Sequence, residues 1–235
     1  MSALRTILRV GLVAALLALP LWATLDRDRD GVSDVWTALH PSAVPPSADA
    51  DGDGSTNAAE ALAGTDPTSP ASVFAVIPQR DLSGSLVVRW DGVRGKRYRV
   101  ESSVDLRAWT ALPTEHDGAD AMIEVVVRTA GAAVTAREFW RVVVSDIDTD
   151  ADGLNNWEEA QLGSSSASAD TDADGLPDAW EAAYGLPLTV ANAAGDPDGD
   201  GFTNAQEFAS GMNPICAPFA DTTGAVSLSV FQPHS

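Results

Sequence analysis

Cysteine and basic residues are scarce in this chain of 235 residues. A single cysteine, Cys216, excludes an intramolecular disulfide, so something other than a disulfide must cross-link any small domain. Only 14 lysine and arginine residues oppose 34 acidic ones, which gives a formal net charge of −20. A chain this acidic, without basic patches, is a poor match to a phosphate backbone. The sequence therefore predicts no nucleic-acid partner.

Catalytic motifs are also missing from the sequence. The three histidines, His40, His116 and His234, are scattered, and no zinc-protease, serine-hydrolase or phosphate-loop pattern occurs. Paired carboxylates can carry acid–base chemistry, but most aspartates and glutamates of this chain follow a regular spacing, described below, that indicates a different role. We therefore expect that the protein is not an enzyme.

Long apolar runs are absent except near the start of the chain. Arg5 and Arg9 precede an apolar run over 10–19, which is shorter than the ~20 residues of a membrane-spanning helix. Helix-breaking Pro20 follows, so residues 1–23 are interpreted as a signal peptide, with an uncleaved anchor as the alternative. We expect a secreted, cell-surface or periplasmic protein with no membrane contact beyond this segment.

Aspartate, by contrast, is abundant and recurs with a fixed spacing. The segment DTDADGLPDAWE has Asp at positions 1, 3, 5 and 9, Gly at position 6 and Glu at position 12. This is the ligand spacing of an EF-hand calcium loop, in which position 7 contributes its backbone carbonyl and Gly makes a sharp turn. Ca²⁺ takes six to eight oxygen ligands and offsets the repulsion among neighbouring carboxylates. The spacing predicts a calcium site.

The same spacing occurs five times, in loops that begin at positions 26, 49, 148, 170 and 196 and are numbered 1 to 5 below. The predicted metal ligands are Asp26, Asp28, Asp30, Val32 and Asp34 in loop 1; Asp49, Asp51, Asp53, Ser55, Asn57 and Glu60 in loop 2; Asp148, Asp150, Asp152, Leu154, Asn156 and Glu159 in loop 3; Asp170, Asp172, Asp174, Leu176, Asp178 and Glu181 in loop 4; and Asp196, Asp198, Asp200, Phe202, Asn204 and Glu207 in loop 5. Thr37 replaces Glu in loop 1, which we expect to bind more weakly or to borrow an oxygen from a neighbour.

Most of the 34 acidic residues belong to these ligand sets, so the acidity lies mainly in the predicted metal sites. Asp and Gly are turn formers, and a single copy would also fit an ordinary acidic loop. Five copies with one internal spacing favour Ca²⁺ as the cofactor.

The loops form two clusters that repeat each other. Loop 1 aligns with loop 4 at an offset of 144 residues, and loop 2 aligns with loop 5 at an offset of 147. In loops 2 and 5, Gly and then Pro follow the Asn-x-x-Glu pattern, which predicts a short helix that ends at Gly64 or Gly211. The predicted organisation is a signal peptide over 1–23, loops 1 and 2 over 24–70, a β-domain over 71–146, loops 3 to 5 over 147–215, and a tail over 216–235 that resembles the start of a truncated second β-domain.

Six short strands are predicted between the clusters, in VFAVIPQ, SLVVRWDG, KRYRVESSVD, WTALP, MIEVVVRTA and EFWRVVV. Regularly spaced short strands favour a β-sandwich. The pattern SLVVRW…YRVESS…W resembles fibronectin type III domains, with Trp90 on the second strand, Tyr98 on the third, and Phe139 or Trp140 on the sixth. This resemblance implies an Ig-like sandwich and no single function.

Arginines give the middle domain most of its positive charge; they are Arg89, Arg97, Arg99, Arg107 and Arg141. They are interpreted as the solvated side of alternating strands, with a face for an anionic polysaccharide as the alternative. Tryptophans at position 10 or 11 of the loops, Trp36, Trp157 and Trp180, are interpreted as small-core residues, with a ligand-stacking platform as the alternative.

No helical pattern precedes the loops, so only the exiting half of an EF-hand is expected. Dockerins and thrombospondin type 3 repeats share this property. Dockerins carry an apolar residue at position 8, where this chain has Ser33, Thr56, Asn155, Pro177 and Thr203. The chain resembles bacterial thrombospondin type 3 repeats over about 26–67 and 148–214, although position 12 holds Glu instead of Asp and the disulfide cysteines are missing.

The predicted fold is mainly β, with a central fibronectin III-like or Ig-like sandwich flanked by Asp-rich calcium loops that are each followed by a short helix. The predicted function is that of an exported structural or adhesion-type protein, in which Ca²⁺ orders the loops as rigid spacers that present the sandwich. The expected partners are calcium ions and another extracellular protein or polysaccharide. Two alternatives remain open, a dockerin-like docking module and a carbohydrate-binding accessory module of a secreted hydrolase.

Overall fold

The computed structural model describes residues 25–43, 45–132 and 138–216, and the predicted signal peptide and nearly all of the tail lie outside these ranges. Within them the chain forms five short helices and six strands: α1 (Asp34–Leu39), α2 (Asn57–Ala63), β1 (Ile77–Arg80), β2 (Leu86–Gly92), β3 (Lys96–Ser103), β4 (Thr110–Asp117), β5 (Ala121–Arg128), β6 (Phe139–Asp146), α3 (Asn156–Leu162), α4 (Asp178–Tyr184) and α5 (Asn204–Ser210). Among the described residues, none of the helices is long and apolar enough to span a membrane.

Each helix begins at position 9 of its loop and contains only six or seven residues. In four loops the position 8 side chain is the N-cap, because it accepts hydrogen bonds from the first turn of the helix; these residues are Ser33, Thr56, Asn155 and Thr203. Pro177 makes no such bond in α4. The polar residues at position 8 therefore have a structural role as helix caps.

Glycine ends four of the five helices in the left-handed conformation, with φ values from +67° to +82° at Gly64, Gly163, Gly185 and Gly211. The predicted helix ends at Gly64 and Gly211 are confirmed.

The six predicted strands are present and form two antiparallel sheets. One sheet has the order β1-β2-β5 and the other has the order β4-β3-β6. The two sheets share one cluster of buried side chains, formed by Val88, Trp90, Tyr98, Val100, Trp140 and Val142. Trp90, Tyr98 and Trp140 thus occupy their predicted strands and the core, whereas Phe139 is only half-buried. The likeness to fibronectin type III stays a prediction.

The chain divides into two compact units, with the boundary after Ala169. The first unit contains loops 1 to 3 together with the two sheets, and the second contains loops 4 and 5. The five-part division derived from the sequence stays a prediction.

Lys96, the single lysine of the chain, joins the loops of the first unit to its sheets. Its ammonium group donates to the backbone carbonyl of Ala61 in α2 at 3.1 Å and to the carboxylate of Asp146 in β6 at 2.5 Å. It also lies 5.2 Å from the ring centroid of Trp157 in α3. The Lys96 side chain is only 2% exposed, so one buried cation holds two loop helices against the end of a sheet.

The tryptophans of the loops serve as core residues, as predicted. Trp36 and Trp157 are buried with Val32 and Ala43 in a second apolar cluster of the first unit. In the second unit, the half-buried Trp180 packs edge-on against Tyr184 and Phe208, with ring centroids 5.1 and 5.4 Å away.

Candidate metal centre

Each of the five loops brings three carboxylates together. One oxygen from each member of a triplet lies within 4.8 Å of the other two; the triplets are Asp26, Asp28 and Asp34; Asp49, Asp51 and Asp53; Asp148, Asp150 and Asp152; Asp170, Asp172 and Asp174; and Asp196, Asp198 and Asp200. In loops 2 to 5 the triplet is formed by positions 1, 3 and 5. In loop 1 the position 9 residue Asp34 takes the place of Asp30.

The loop backbone holds these carboxylates in place. In loop 4 the N–H of Gly175 at position 6 donates to Asp170 at 2.9 Å, and the N–H of Leu176 at position 7 donates to Asp174 at 3.0 Å. Equivalent pairs of bonds recur in the other four loops. Gly175 has φ +97°, a conformation that favours glycine. The sharp turn at position 6, predicted from the sequence, is therefore present.

In loops 1 to 4 the position 9 side chain closes the loop. Asn57, Asn156 and Asp178 each accept a hydrogen bond from the backbone N–H of position 2, at 3.3, 3.0 and 2.9 Å. Asp34 accepts the same bond at 3.4 Å. This closing role was not predicted, although Asp and Asn are known to bond to nearby backbone groups. Direct coordination of calcium by position 9 stays a prediction.

The glutamate at position 12 is buried against its own triplet. Glu60, Glu159, Glu181 and Glu207 are each at most 1% exposed. Burial and the neighbouring Asp51 and Asp53 raise the pKa of Glu60 to about 7. Burial and the aspartates of loop 4 likewise raise the pKa of Glu181 to about 7, and the pKa of Glu207 is raised for the same reasons in loop 5. Each of these carboxyl groups therefore faces several negative charges.

Loops 2 and 5 contain carboxylate oxygens that lack a protein partner. Among the described residues, one buried oxygen at each of positions 3, 5 and 12 accepts no hydrogen bond: Asp51, Asp53 and Glu60 in loop 2, and Asp198, Asp200 and Glu207 in loop 5. Leaving a buried charged oxygen unpaired is costly. A hard divalent cation that prefers oxygen ligands would satisfy all three oxygens, so the residues present fit Ca²⁺.

Loop 1 departs from this pattern. It lacks the position 12 carboxylate, and the guanidinium of Arg27 bonds to Asp34 at 2.8 Å, which places a positive charge beside the triplet. The weaker binding predicted for loop 1 from Thr37 stays a prediction, and the charge of Arg27 supports it.

Loop 1 is instead docked onto loop 3 through Glu158. The buried carboxylate of Glu158 accepts hydrogen bonds from the Ser33 hydroxyl, from the Leu25 N–H at 3.2 Å and from the Asn155 N–H at 2.7 Å. Burial raises its pKa to about 7. Sequence reasoning missed this residue, although Asn155 and Glu158 have the spacing of a capping box.

The arginines of the sheets are mostly paired with carboxylates. Arg97 bonds to Asp117 at 2.6 Å, Arg99 and Arg141 lie 2.8 and 2.6 Å from Glu101, and Arg89 pairs with Glu124. These ion pairs neutralise the arginines within the sheets and so disfavour an anion-binding face, although Arg141 and Glu101 are largely buried instead of solvated.

Comparison with protein families identifies the acidic segments. Residues 49–70, 148–164, 170–185 and 196–215, which contain loops 2 to 5, match the family model described as bacterial TSP3 repeat. These segments are bacterial thrombospondin type 3 repeats, so the predicted family is confirmed, and loop 1 lies outside the matched segments. This family consists of structural calcium-binding repeats and is not an enzyme family. No curated protein and no solved structure matches the chain.

Proposed function

We propose that the protein is an exported spacer of the adhesion type, whose loops are made rigid by Ca²⁺ and present a β-sandwich. The observation that carries this proposal is the set of unpaired buried oxygens at positions 3, 5 and 12 of loops 2 and 5. Without a cation these oxygens repel one another in a poorly solvated site. Bound Ca²⁺ would convert the same oxygens from a source of instability into the cross-link that a chain with one cysteine otherwise lacks.

The attachment of the loops to the sheets supports the role of a spacer. Gly95, in the turn between β2 and β3, packs so closely on α3 that an added Cβ would lie 2.2 Å from the backbone nitrogen of Trp157. Lys96 holds α2 beside the same turn. Ordering of loops 2 and 3 by Ca²⁺ would therefore also fix the orientation of the sheets relative to these loops.

A fibronectin III-like or Ig-like sandwich is the best account of the sheets. Two three-stranded antiparallel sheets with one shared apolar core support it. Secretion through residues 1–23 also fits, because calcium sites outside cells can operate with affinities of roughly 10⁻⁴–10⁻³ M. We further propose another extracellular protein or a polysaccharide as the partner of the presented domain.

The decisive experiment is amide hydrogen exchange of the full chain with Ca²⁺ and with EDTA. EDTA should strongly lower the protection of 26–67 and 148–214 and leave that of the core strands, such as β3, unchanged, because the core of the sheets contains no predicted ligand. Calorimetry with Ca²⁺ and with Mg²⁺ as the control should show uptake of Ca²⁺ alone. Equal protection in the two buffers, together with no Ca²⁺ uptake at millimolar concentration, would refute the proposal.

A further inference from the structure

Asn192 lies between loops 4 and 5 in the second unit and contacts the predicted ligands of loop 4. Its side-chain amide donates hydrogen bonds to the carboxylate of Glu181, at position 12, and to the carbonyl of Pro187. The backbone N–H groups of Asn192 and Ala193 both donate to one oxygen of Asp174, at position 5, over 2.5 and 2.7 Å. Two metal-ligand carboxylates of loop 4 are thus held by one short segment.

The same segment also holds the beginning of loop 5's helix. The side-chain amide of Asn204, at position 9 of loop 5, donates to the backbone carbonyl of Asn192 at 3.0 Å and to its side-chain oxygen at 2.8 Å. The N–H of Ala205 donates to the carbonyl of Ala193 at 3.0 Å. Asn192 is therefore hydrogen-bonded to loop 4 on one side and to loop 5 on the other.

The first repeat cluster contains only half of this bridge. At the offset of 147 residues, Pro45 and Pro46 replace Asn192 and Ala193, so both backbone donors and the amide donor are missing. The acceptor of the amide donor has changed as well, because Thr37 stands where loop 4 has Glu181, whereas the acceptor of the backbone donors, Asp174, has the aspartate Asp30 as its counterpart.

The bonds on the other side of the bridge are kept in the first cluster. Asn57 donates to the carbonyl of Pro45 at 3.0 Å, and the N–H of Ala58 donates to the carbonyl of Pro46 at 2.9 Å. The amide donor and the carboxylate that receives it, Glu181, thus differ together between the two clusters, while the bonds from the following loop to the backbone carbonyls of the segment are kept. This contrast indicates a specific connection between loops 4 and 5.

We propose that Asn192 is a positioning residue that couples calcium binding in loop 4 to calcium binding in loop 5. A cation in loop 4 fixes Asp174 and Glu181, these carboxylates fix Asn192, and Asn192 fixes Asn204 at the start of α5. Loop 5 is then ordered before its own cation arrives, so it binds with less loss of conformational entropy. This inference rests on the proposed calcium binding and adds cooperativity to it.

The test follows each loop separately in a Ca²⁺ titration of the ¹⁵N-labelled full chain. The amide signals of Gly175 and Gly201 report on loops 4 and 5, since each amide donates to the position 1 aspartate of its own loop. Asp172→Asn disables loop 4. In the otherwise unchanged chain, this substitution should raise the Ca²⁺ concentration at which the Gly201 signal is half-changed, called the Gly201 midpoint below, by about five-fold or more. Five-fold is about the lower end of the range for typical coupling between sites.

In an Asn192→Ala background, Asp172→Asn should shift the Gly201 midpoint by a clearly smaller factor, because the side-chain bonds to Glu181 and Asn204 are lost while the backbone bonds to Asp174 and Asn204 remain. Asn213→Ala is the matched control: among the described residues, the Asn213 side chain accepts a hydrogen bond from the N–H of Ile215 and bonds to neither loop 4 nor Asn192, so the coupling should persist. If Asn192→Ala fails to order the second unit, Asn192→Asp serves in its place, because it keeps the acceptor of the Asn204 bond and replaces the donor to Glu181.

The coupling would be overturned, with calcium binding intact, if Asp172→Asn shifted the Gly201 midpoint equally in the unchanged chain and in the Asn192→Ala background. It would also be overturned if Asp172→Asn caused no shift in the unchanged chain. Absence of any Ca²⁺ response at both glycines would overturn the coupling and the proposed function together.

Discussion

The position 12 glutamate lies in an unfavourable environment for a carboxylate. Glu207 is 1% exposed, has an unpaired oxygen and faces Asp196, Asp198 and Asp200, and its pKa is raised as a result. Such a group stabilises the protein only when a cation is bound. Its replacement should therefore have opposite effects on the two forms of the protein.

Glu207→Gln keeps the shape of the side chain and removes its charge. Calorimetry should show that Ca²⁺ affinity falls by at least about ten-fold, the loss that is typical even of residues that only orient metal ligands. Thermal unfolding in EDTA at neutral pH should show a higher midpoint, because a buried charge is gone. Glu124→Gln, in the partly exposed ion pair with Arg89, is the control and should change neither quantity appreciably. A variant that destabilises both forms equally would contradict this account.

The raised pKa values predict an unusual pH dependence of the metal-free protein. The carboxyl groups of Glu60 and Glu181 have a pKa of about 7 in the folded chain, raised from 4.5 mainly by burial. The folded state therefore binds more protons than the unfolded state, and stability in EDTA should fall as the pH rises from about 4.5 through about 7.

With saturating Ca²⁺ the trend should reverse over the same range, because the ligands must lose their protons to bind the metal. Thermal unfolding midpoints in the two buffers, measured from about pH 5 to 7.5, test the sign of each slope. Parallel slopes would mean that the glutamates do not face the metal.

At the scale of a single element, each loop needs a left-handed backbone conformation at positions 4 and 6. Glycine adopts this conformation without strain, whereas other residues adopt it at a cost in free energy. In loop 4, Ala173 has φ +61° and Gly175 has φ +97°. A Cβ added at Gly175 would meet no atom within 4 Å, so its only cost is backbone strain. Loops 2 and 5 have glycine at position 4 as well, at Gly52 and Gly199, with φ of +82° and +75°.

We expect Gly175→Ala to destabilise the calcium-bound protein by about 1–3 kcal/mol, the usual cost of a strained backbone conformation. Ala173→Gly, two residues earlier, should have no destabilising effect, because it relieves the left-handed alanine while it adds freedom to the unfolded chain. Denaturant unfolding with Ca²⁺ measures both variants. A larger loss for Ala173→Gly than for Gly175→Ala would show that the positive φ values do not govern the loop.

At the scale of the whole molecule, the first unit depends on contacts between segments that are far apart in sequence. Lys96 is in β3, and its partners Ala61, Asp146 and Trp157 lie in α2, in β6 and in α3. The capping glutamate Glu158 similarly connects loop 3 to loop 1 over 125 residues. These buried polar contacts attach the loop helices, which carry little apolar surface of their own, to the sheets and to one another.

Lys96→Met retains the apolar stem and removes the charge, which leaves the partly buried carboxylate of Asp146 without its cation. We expect a loss of about 3 kcal/mol in the free energy of unfolding, the lower end for a broken buried ion pair because Asp146 is partly exposed. Urea unfolding measures it. Arg94→Met is the control: the pair of Arg94 with Asp120 is well exposed, and its loss should cost about 0–1 kcal/mol. Equal effects would refute the joining role of Lys96.

The sequence alone determined the local structures, because their signals are local. Fixed spacing of Asp, Gly and Glu encodes a calcium loop within twelve residues, so the five loops, the family and the clustering of the aspartates follow from it. A glycine after the Asn-x-x-Glu pattern places a helix end, and alternation of apolar residues places a strand. Two features within the loops were not foreseen at this level: the entry of Asp34 in place of Asp30 in loop 1, and the closing hydrogen bonds of the position 9 side chains.

The tertiary structure decided which loops are connected. The amide of Asn192, the ammonium of Lys96 and the carboxylate of Glu158 reach distant partners that no periodicity specifies, and these long-range contacts could not be predicted from the sequence. Hydrogen bonds between distant segments depend on where the chain returns after folding, and that return is set by the shared apolar cores. The predicted calcium sites therefore follow from the spacing of residues in the sequence, whereas the hydrogen bonds that connect one loop to another are determined by the tertiary structure.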